Sequence, residues 1–215
     1  MTGMIWRLPG ERLYQVAHPP LAHPMTLDLD TRTGWPGDLR LLIERYPREV
    51  WQSHANLGDL ARFWLGIHDG FRQSALALAR GSAEFREGRM TPAEYRAWFR
   101  PRLQTFLGHL EGHHTIEDHQ FFPVFSAAEP RLVRGFEVLE TDHENIHAAM
   151  SDTFEAATAF LRLADGDRDA MMRAADRYAA AGGKLLRKLG RHLEDEEDLI
   201  IPLILDRGEG LLGVR

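Results

Sequence analysis

Apolar side chains recur every three or four residues through four long stretches of the chain, a period that predicts amphipathic helices. The first is expected from about Pro47 or Val50 to Phe85, where Leu57, Leu60, Phe63, Trp64, Ile67 and Phe71 form a stripe that also contains His68; Gly88 closes it. The second opens at Thr91-Pro92-Ala93-Glu94, a capping box with proline at the first helical position, and should run to Pro123 with a kink at Pro101. A third helix is expected from about Pro130 to Leu163, ended by the Asp165-Gly166-Asp167 turn. The fourth runs from about Arg168 to Leu205, with Gly182-Gly183 in its middle and Pro202 near its end. No window alternates in the manner of a strand. Four such helices with short connections predict an all-α, up-down-up-down four-helix bundle, an architecture that often builds metal sites between facing helices.

Ahead of the bundle, Pro9-Gly10, Pro19-Pro20 and Trp35-Pro36-Gly37 punctuate a stretch without sustained apolar period, which reads as an extended arm. Within it, Asp38 to Tyr46 predicts a short helix stopped by Pro47. The expected organisation is an arm with a short helix over 1–49, the bundle over 50–205 and a tail over 206–215. A length of 215 residues is compatible with one well-filled domain and an arm. The net charge is −6, and Lys and Arg are scattered rather than gathered in a stripe, which argues against nucleic acid and anionic membranes as partners. There is no run of about 18 apolar residues, and the N-terminus lacks the apolar centre of a signal peptide, so a cytoplasmic location is expected. The chain has no cysteine, so any metal must be held by His, Asp, Glu or water.

Candidate chemistry sits in a phrase that occurs twice. His113-x3-Glu117 and His192-x3-Glu196 are each followed six residues later by proline, Pro123 and Pro202. A histidine and a carboxylate four residues apart project from one helix face, about 6 Å apart along the axis, and can reach a common centre. Between the copies lies a further pair, His143 and His147. His68 precedes His113 by 45 residues and His147 precedes His192 by the same interval, so the arrangement reads as a duplicated helical hairpin. That spacing selects His68 over His54, which lies about 21 Å further along the same helix. The inward-facing candidates are therefore His68, His113, Glu117, His143, His147, His192 and Glu196. Leaving such groups buried and unsatisfied costs on the order of 1 to 3 kcal/mol each, against a net stability of only about 5 to 15 kcal/mol. Taken singly, each histidine fits an ordinary surface or core role; taken together, they point to metal.

The order His, His-x3-Glu, His-x3-His, His-x3-Glu on successive helices resembles the hemerythrin-like proteins with HHE cation-binding domains, over about residues 50–205. The phrases Glu117-Asp118 with Phe121-Phe122-Pro123, and Glu196-Glu197-Asp198-Leu199-Ile200-Ile201-Pro202, are also similar to that family. The resemblance implies two iron ions with an oxo or hydroxo bridge: His143, His147 and His192 on one iron, His68 and His113 on the other, Glu117 and Glu196 bridging. Five imidazoles, two bridging carboxylates and one bridging oxygen supply about eleven of about twelve donor positions, leaving one open on the iron with two histidines. The implied partner is a small molecule such as O2, peroxide or nitric oxide, bound or sensed. The alternatives are a di-iron oxidoreductase that decomposes peroxide or reduces nitric oxide, and an iron-storage or regulatory module. Oxygen-carrying members have an aspartate five residues after the last histidine; here Glu196 stands four after and Glu197 five after, and Glu196 is preferred because it repeats Glu117.

A rival motif, His143-Glu144-Asn145-Ile146-His147, fits the H-E-x-x-H of zinc metalloproteases with Glu144 as general base, but it leaves both His-x3-Glu copies without a purpose. Ferritin-like bundles prefer Glu-x-x-His and four carboxylates. His114 and His119 flank the motif and read as groups supporting the ligands or lying at the surface, with His114 the reserve ligand; His109 could line the site entrance or face solvent. Asp118, Asp142 and Glu111 could orient ligand imidazoles. Trp64, Ile67 and Phe71 are expected to line the pocket, while His18 and His23 belong to the arm.

Overall fold

The computed structural model describes residues 27–163 and 167–213. The beginning of the expected arm, with His18 and His23, lies outside the described residues, as do Asp165 and Gly166 of the predicted turn. In chain order, the helices are α1 (Leu41–Arg45), α2 (Arg48–Trp51), α3 (Asp59–Arg86), α4 (Pro92–Ile116), α5 (Phe122–Ala128), α6 (Val133–Leu161), α7 (Arg168–Arg207) and α8 (Glu209–Leu212). A π-helical turn, Glu117–Phe121, joins α4 to α5, and single 3-10 turns at Gly37–Leu39 and Pro130–Leu132 precede α1 and α6. There is no strand among the described residues, so the chain is an all-α helical bundle. None of these helices is long and apolar enough to cross a membrane.

Neighbouring long helices run antiparallel, as pairs of contacts show. On α3 and α4, Phe85 stacks on Tyr95 at 4.7 Å while His68 meets His113 at 5.3 Å between ring centres. On α4 and α6, Phe99 meets Phe160 while His114 meets His143. On α3 and α7, Arg86 pairs with Asp176 while His68 contacts Glu197. Gly135 of α6 is approached so closely by Leu199 of α7 that a Cβ would lie 2.6 Å from its Cδ1.

Several boundaries differ from those the period predicts. The first long helix starts at Asp59, not near Pro47 or Val50: residues 48–51 form their own turn of helix, and Gly58 ends the intervening loop. Leu57 thus precedes the helix, and Phe63 of the expected stripe is 64% exposed. The second begins as read, with Thr91 accepting from the Glu94 amide and Glu94 accepting from the Thr91 amide. It continues helically through Pro101, and Pro123 does not stop it, because that proline occupies the first turn of α5, where its missing N–H has little cost. The fourth extends two residues further, to Arg207, and ends at Gly208 with φ of 75°. The tail folds back: Glu209 Oε1 accepts from the Ala61 amide near the start of α3 at 3.0 Å, and Leu212 is buried.

Two hydrophobic cores result. One stacks Phe85, Tyr95, Phe99, Phe160 and Tyr178 at the end where α3 meets α4. The other gathers Trp35, Leu42, Trp51, Trp64, Phe122, Phe125 and Phe136 around α7 residues Leu199 to Leu205. Between them the interior is polar. Phe99 is fully buried, with Tyr95 at 5.0 Å and Tyr178 at 4.7 Å. Phe99→Ala should therefore lower the unfolding free energy by about 3 to 5 kcal/mol. A lower urea midpoint with an unchanged slope checks this.

Candidate metal centre

The polar layer is supplied by the middle of each long helix. On α4 the buried positions Leu103, Phe106, Leu110, His114 and Glu117 follow a regular three-and-four spacing, and the next buried residue is Phe122. The π-helical turn absorbs the step of five: the Phe122 amide donates to the Glu117 carbonyl. A turn of this kind inserts one residue into a helix and occurs often where a helix carries function. Here it lets Glu117 and Phe122 both face inward and leaves Asp118 within reach of α6.

Four donors, His68, His113, Glu117 and Glu196, offer ligand atoms that all lie within 4.8 Å of one another, and so do three imidazoles, His114, His143 and His192. The two carboxylates join these groups. Glu117 turns Oε1 to His113 Nε2 at 2.9 Å and Oε2 to His143 Nε2 at 3.6 Å. Glu196 turns Oε1 to His68 Nε2 at 3.5 Å and Oε2 to His192 Nε2 at 3.2 Å. Six of the seven sequence candidates thus fall in the two groups. The seventh, His147, is outside them and touches the set through His114, with its Nε2 3.2 Å from His114 Nδ1. His114 is the addition. The phase of Leu103, Phe106 and Leu110 carries that signal in the sequence, because it points inward again at positions 114 and 117. His113 and His114 both reach the layer because neighbours on a helix diverge by about 100° and two neighbouring helices flank α4.

Acidic groups behind the imidazoles fix their orientation. His68 Nδ1 donates to Glu197 Oε1 at 3.0 Å and His143 Nδ1 donates to Asp118 Oδ1 at 2.7 Å, while His192 Nδ1 lies 3.5 Å from Asp142 Oδ2. A carboxylate only accepts, so the Nδ1 protons of His68 and His143 are accounted for and these rings turn Nε2 inward, whereas His192 Nδ1 is buried without a hydrogen-bond partner. Those inward nitrogens face one another: His68 and His113 Nε2 are 3.3 Å apart, and His143 and His192 Nε2 are 3.1 Å apart. Glu117 Oε1 and Oε2, Glu196 Oε2 and His114 Nε2 are buried without a hydrogen-bond donor or partner. Facing lone pairs and carboxylate oxygens repel unless a proton or a cation lies between them. The donor set of imidazole nitrogen and carboxylate oxygen therefore fits a cation, with borderline first-row metals suited to its softness.

Titration in the metal-free chain follows the same geometry. Burial, with Glu196 alongside, pushes Glu117 well above the usual carboxylate range. Burial takes His113 down to about 3, aided by its neighbouring imidazoles. Burial alone would lower His192 too, but Asp142 and Glu196 outweigh it and hold this imidazole up at about 9. A cation would satisfy these groups directly.

Behind the acids stand arginines. Arg32 is buried; its Nε donates to Asp195 Oδ2 at 2.7 Å and both its terminal nitrogens reach Asp142. Arg48 Nη1 donates to Glu197 Oε2 at 2.9 Å and Arg72 Nη2 lies 2.8 Å from Glu197 Oε1. Asp118 and Asp142 thus stand where the sequence reading expects orienting groups, whereas Glu111 is exposed. Arg32 carried no signal, since it lies in a stretch read as an arm and its partners are 110 and 163 residues away. Trp64 Nε1 donates to Glu196 Oε1 at 2.6 Å, a closer role than pocket lining, and Phe71 packs against His113. His54 lies near Tyr46, away from the layer, and Glu144, the base of the protease reading, is exposed.

A family model described as the hemerythrin HHE cation binding domain matches residues 59–204, from the start of α3 to near the end of α7. No curated protein and no solved structure gives a significant match to the chain. Arg32 lies outside the matched residues. Arg32→Met leaves Asp142 and Asp195 buried without that partner, and should cost about 3 to 5 kcal/mol of stability in urea titration. Arg32→Lys, which keeps the charge but not the fork, should recover only part of the loss.

Proposed function

Since the chain belongs to the hemerythrin HHE cation-binding domain family, we propose that its polar layer holds two iron ions and binds or senses O2 or a related small oxygen or nitrogen species. The observation that carries this reading is the pair Glu117 and Glu196, buried carboxylates that each turn one oxygen to either group of imidazoles. His68 and His113 belong to one side. His114, His143 and His192 belong to the other, with His147 adjoining them through His114. Iron held there would supply a redox-active Lewis acid for a small molecule.

The chain's own residues do the rest. Glu197 and Asp118 keep the Nδ1 protons of His68 and His143 on the outer side of each ring, so that Nε2 remains a donor atom, and Asp142 stands beside Nδ1 of His192. Trp64 holds Glu196 in orientation, and its ring, with Phe71 and Phe121, gives the His113 side an apolar surround. The two-histidine side is the one reached from outside, because His113 and Glu117 line a cleft between α3 and the α4–α5 segment. That access also favours a second reading, a di-iron oxidoreductase acting on peroxide or nitric oxide.

Metal analysis with an optical spectrum of anaerobically purified protein, before and after air, tests the proposal. Two irons per chain and a reversible spectral change are expected; one zinc per chain, or no bound metal, sinks it. His113→Ala should lose iron from one side and His143→Ala from the other. Chelation should lower Tm, and acid should release the metal as protons compete for the imidazoles. Sustained turnover of peroxide or nitric oxide, lost in His113→Ala, would establish the second reading instead.

A further inference from the structure

The cleft that reaches His113 and Glu117 has a volume of about 880 Å³. A water molecule's share of liquid is about 30 Å³, and pockets for organic ligands span roughly 300 to 1,000 Å³. A diatomic gas needs only a small fraction of this space. The cleft runs along α4 from Pro101 and Arg102 to Glu117, and from Arg102 to His113 the helix rises about 16 Å. Its floor contains Gly70, Gly108 and Gly112, at each of which an added Cβ would meet nothing within 4 Å. The walls are chiefly apolar, including Phe63 and Ile116, which are 64% and 44% exposed. The charges lie toward its ends. Glu117 at the inner end is buried, with both carboxylate oxygens lacking a donor. Arg102 at the outer end is the one Lys or Arg among the described lining residues. It donates to the Trp98 carbonyl, its guanidinium lies over the Trp98 ring, and it makes no ion pair with an acidic group among the described residues.

We propose that this cleft binds an elongated apolar molecule with an anionic head, a long-chain carboxylate in the simplest case. The head pairs with Arg102 and the apolar body lies along the glycine floor with its far end at His113 and Glu117. Charge complementarity selects the head, and the length of apolar wall between Arg102 and His113 selects the body. The inference rests on the metal reading for what the far end of the ligand meets, but the cleft and its head group do not.

The full-length protein is titrated with cis-parinaric acid, a fluorescent long-chain carboxylate, and the probe is displaced with dodecanoate and with dodecanol. Bound iron is measured in parallel. Saturable binding of one probe per chain is expected. Gly108→Leu with Gly112→Leu should weaken it at least tenfold; both changes add bulk where the fold leaves room and favour the helix. Arg102→Gln should weaken dodecanoate several-fold and leave dodecanol unchanged, a split that general loss of folding would not produce. Absence of saturable binding, binding indifferent to the glycine changes, or occlusion of the cleft by a dimer that Phe63→Ser dissociates would each overturn the proposal. Iron without probe binding defeats this inference alone; probe binding without iron defeats the metal reading and leaves the cleft.

Discussion

Burying two carboxylates and five imidazoles at mid-height in a helical bundle is the constraint to which the rest of the structure responds. Glu117 and Glu196 are at most 1% exposed, and their free oxygens have no protein donors. Charges in such surroundings persist only when they are paired, hydrogen-bonded or metal-bound. The chain meets the demand in successive layers. Imidazoles surround the carboxylates, Asp118, Asp142 and Glu197 stand at the outer nitrogens of the imidazoles, and Arg32, Arg48 and Arg72 balance Asp142 and Glu197. Signs alternate outward from the middle, and the last layer is where solvent begins for Arg48 but not for Arg32.

That sequence of layers explains why residues 27–58 pack on the bundle instead of trailing from it. Arg32 reaches its two aspartates from a segment anchored by Leu29 and by Trp35, whose Nε1 donates to the Asp195 carbonyl at 2.7 Å. Arg48 extends from α2 over Trp51 to Glu197. The matched family region supplies the donors, while residues before it supply two of the cations that offset the acids behind them. Function-bearing and stabilising parts are thus drawn from different stretches of one chain.

Helix existence was legible because each long stretch keeps one period, and most residues of the buried polar layer were legible because they repeat in a spacing that a helix turns into proximity. Thr91 and Glu94 marked a boundary because their side chains act within one turn. What escaped had non-local causes. Nothing near Glu117 announces a π-helical turn, whose effect is the placement of Glu117, Asp118 and Phe122. Proline was misread at Pro123 because its cost depends on where the next turn of helix begins. Arg32 was invisible because its role belongs to partners more than a hundred residues away. His147 and His114 show the limit of spacing as a guide: adjacency on α4 put His114 within the layer, while His147, at the expected interval, stands behind it.

The polar layer also divides the apolar interior. Along α7, Leu185, Leu189 and Leu193 belong to one core and Leu199 to Leu205 to the other, with His192, Asp195, Glu196 and Glu197 at the junction. The π-helical turn rotates the chain between Glu117 and Phe122 so that α4 feeds the first core and α5 the second. Changes in contact tend to couple, and distant ones to add. The two ends of this bundle are accordingly free to drift as separate modules, each repacking its own apolar residues, so long as the band of donors that both ends enclose is left in register.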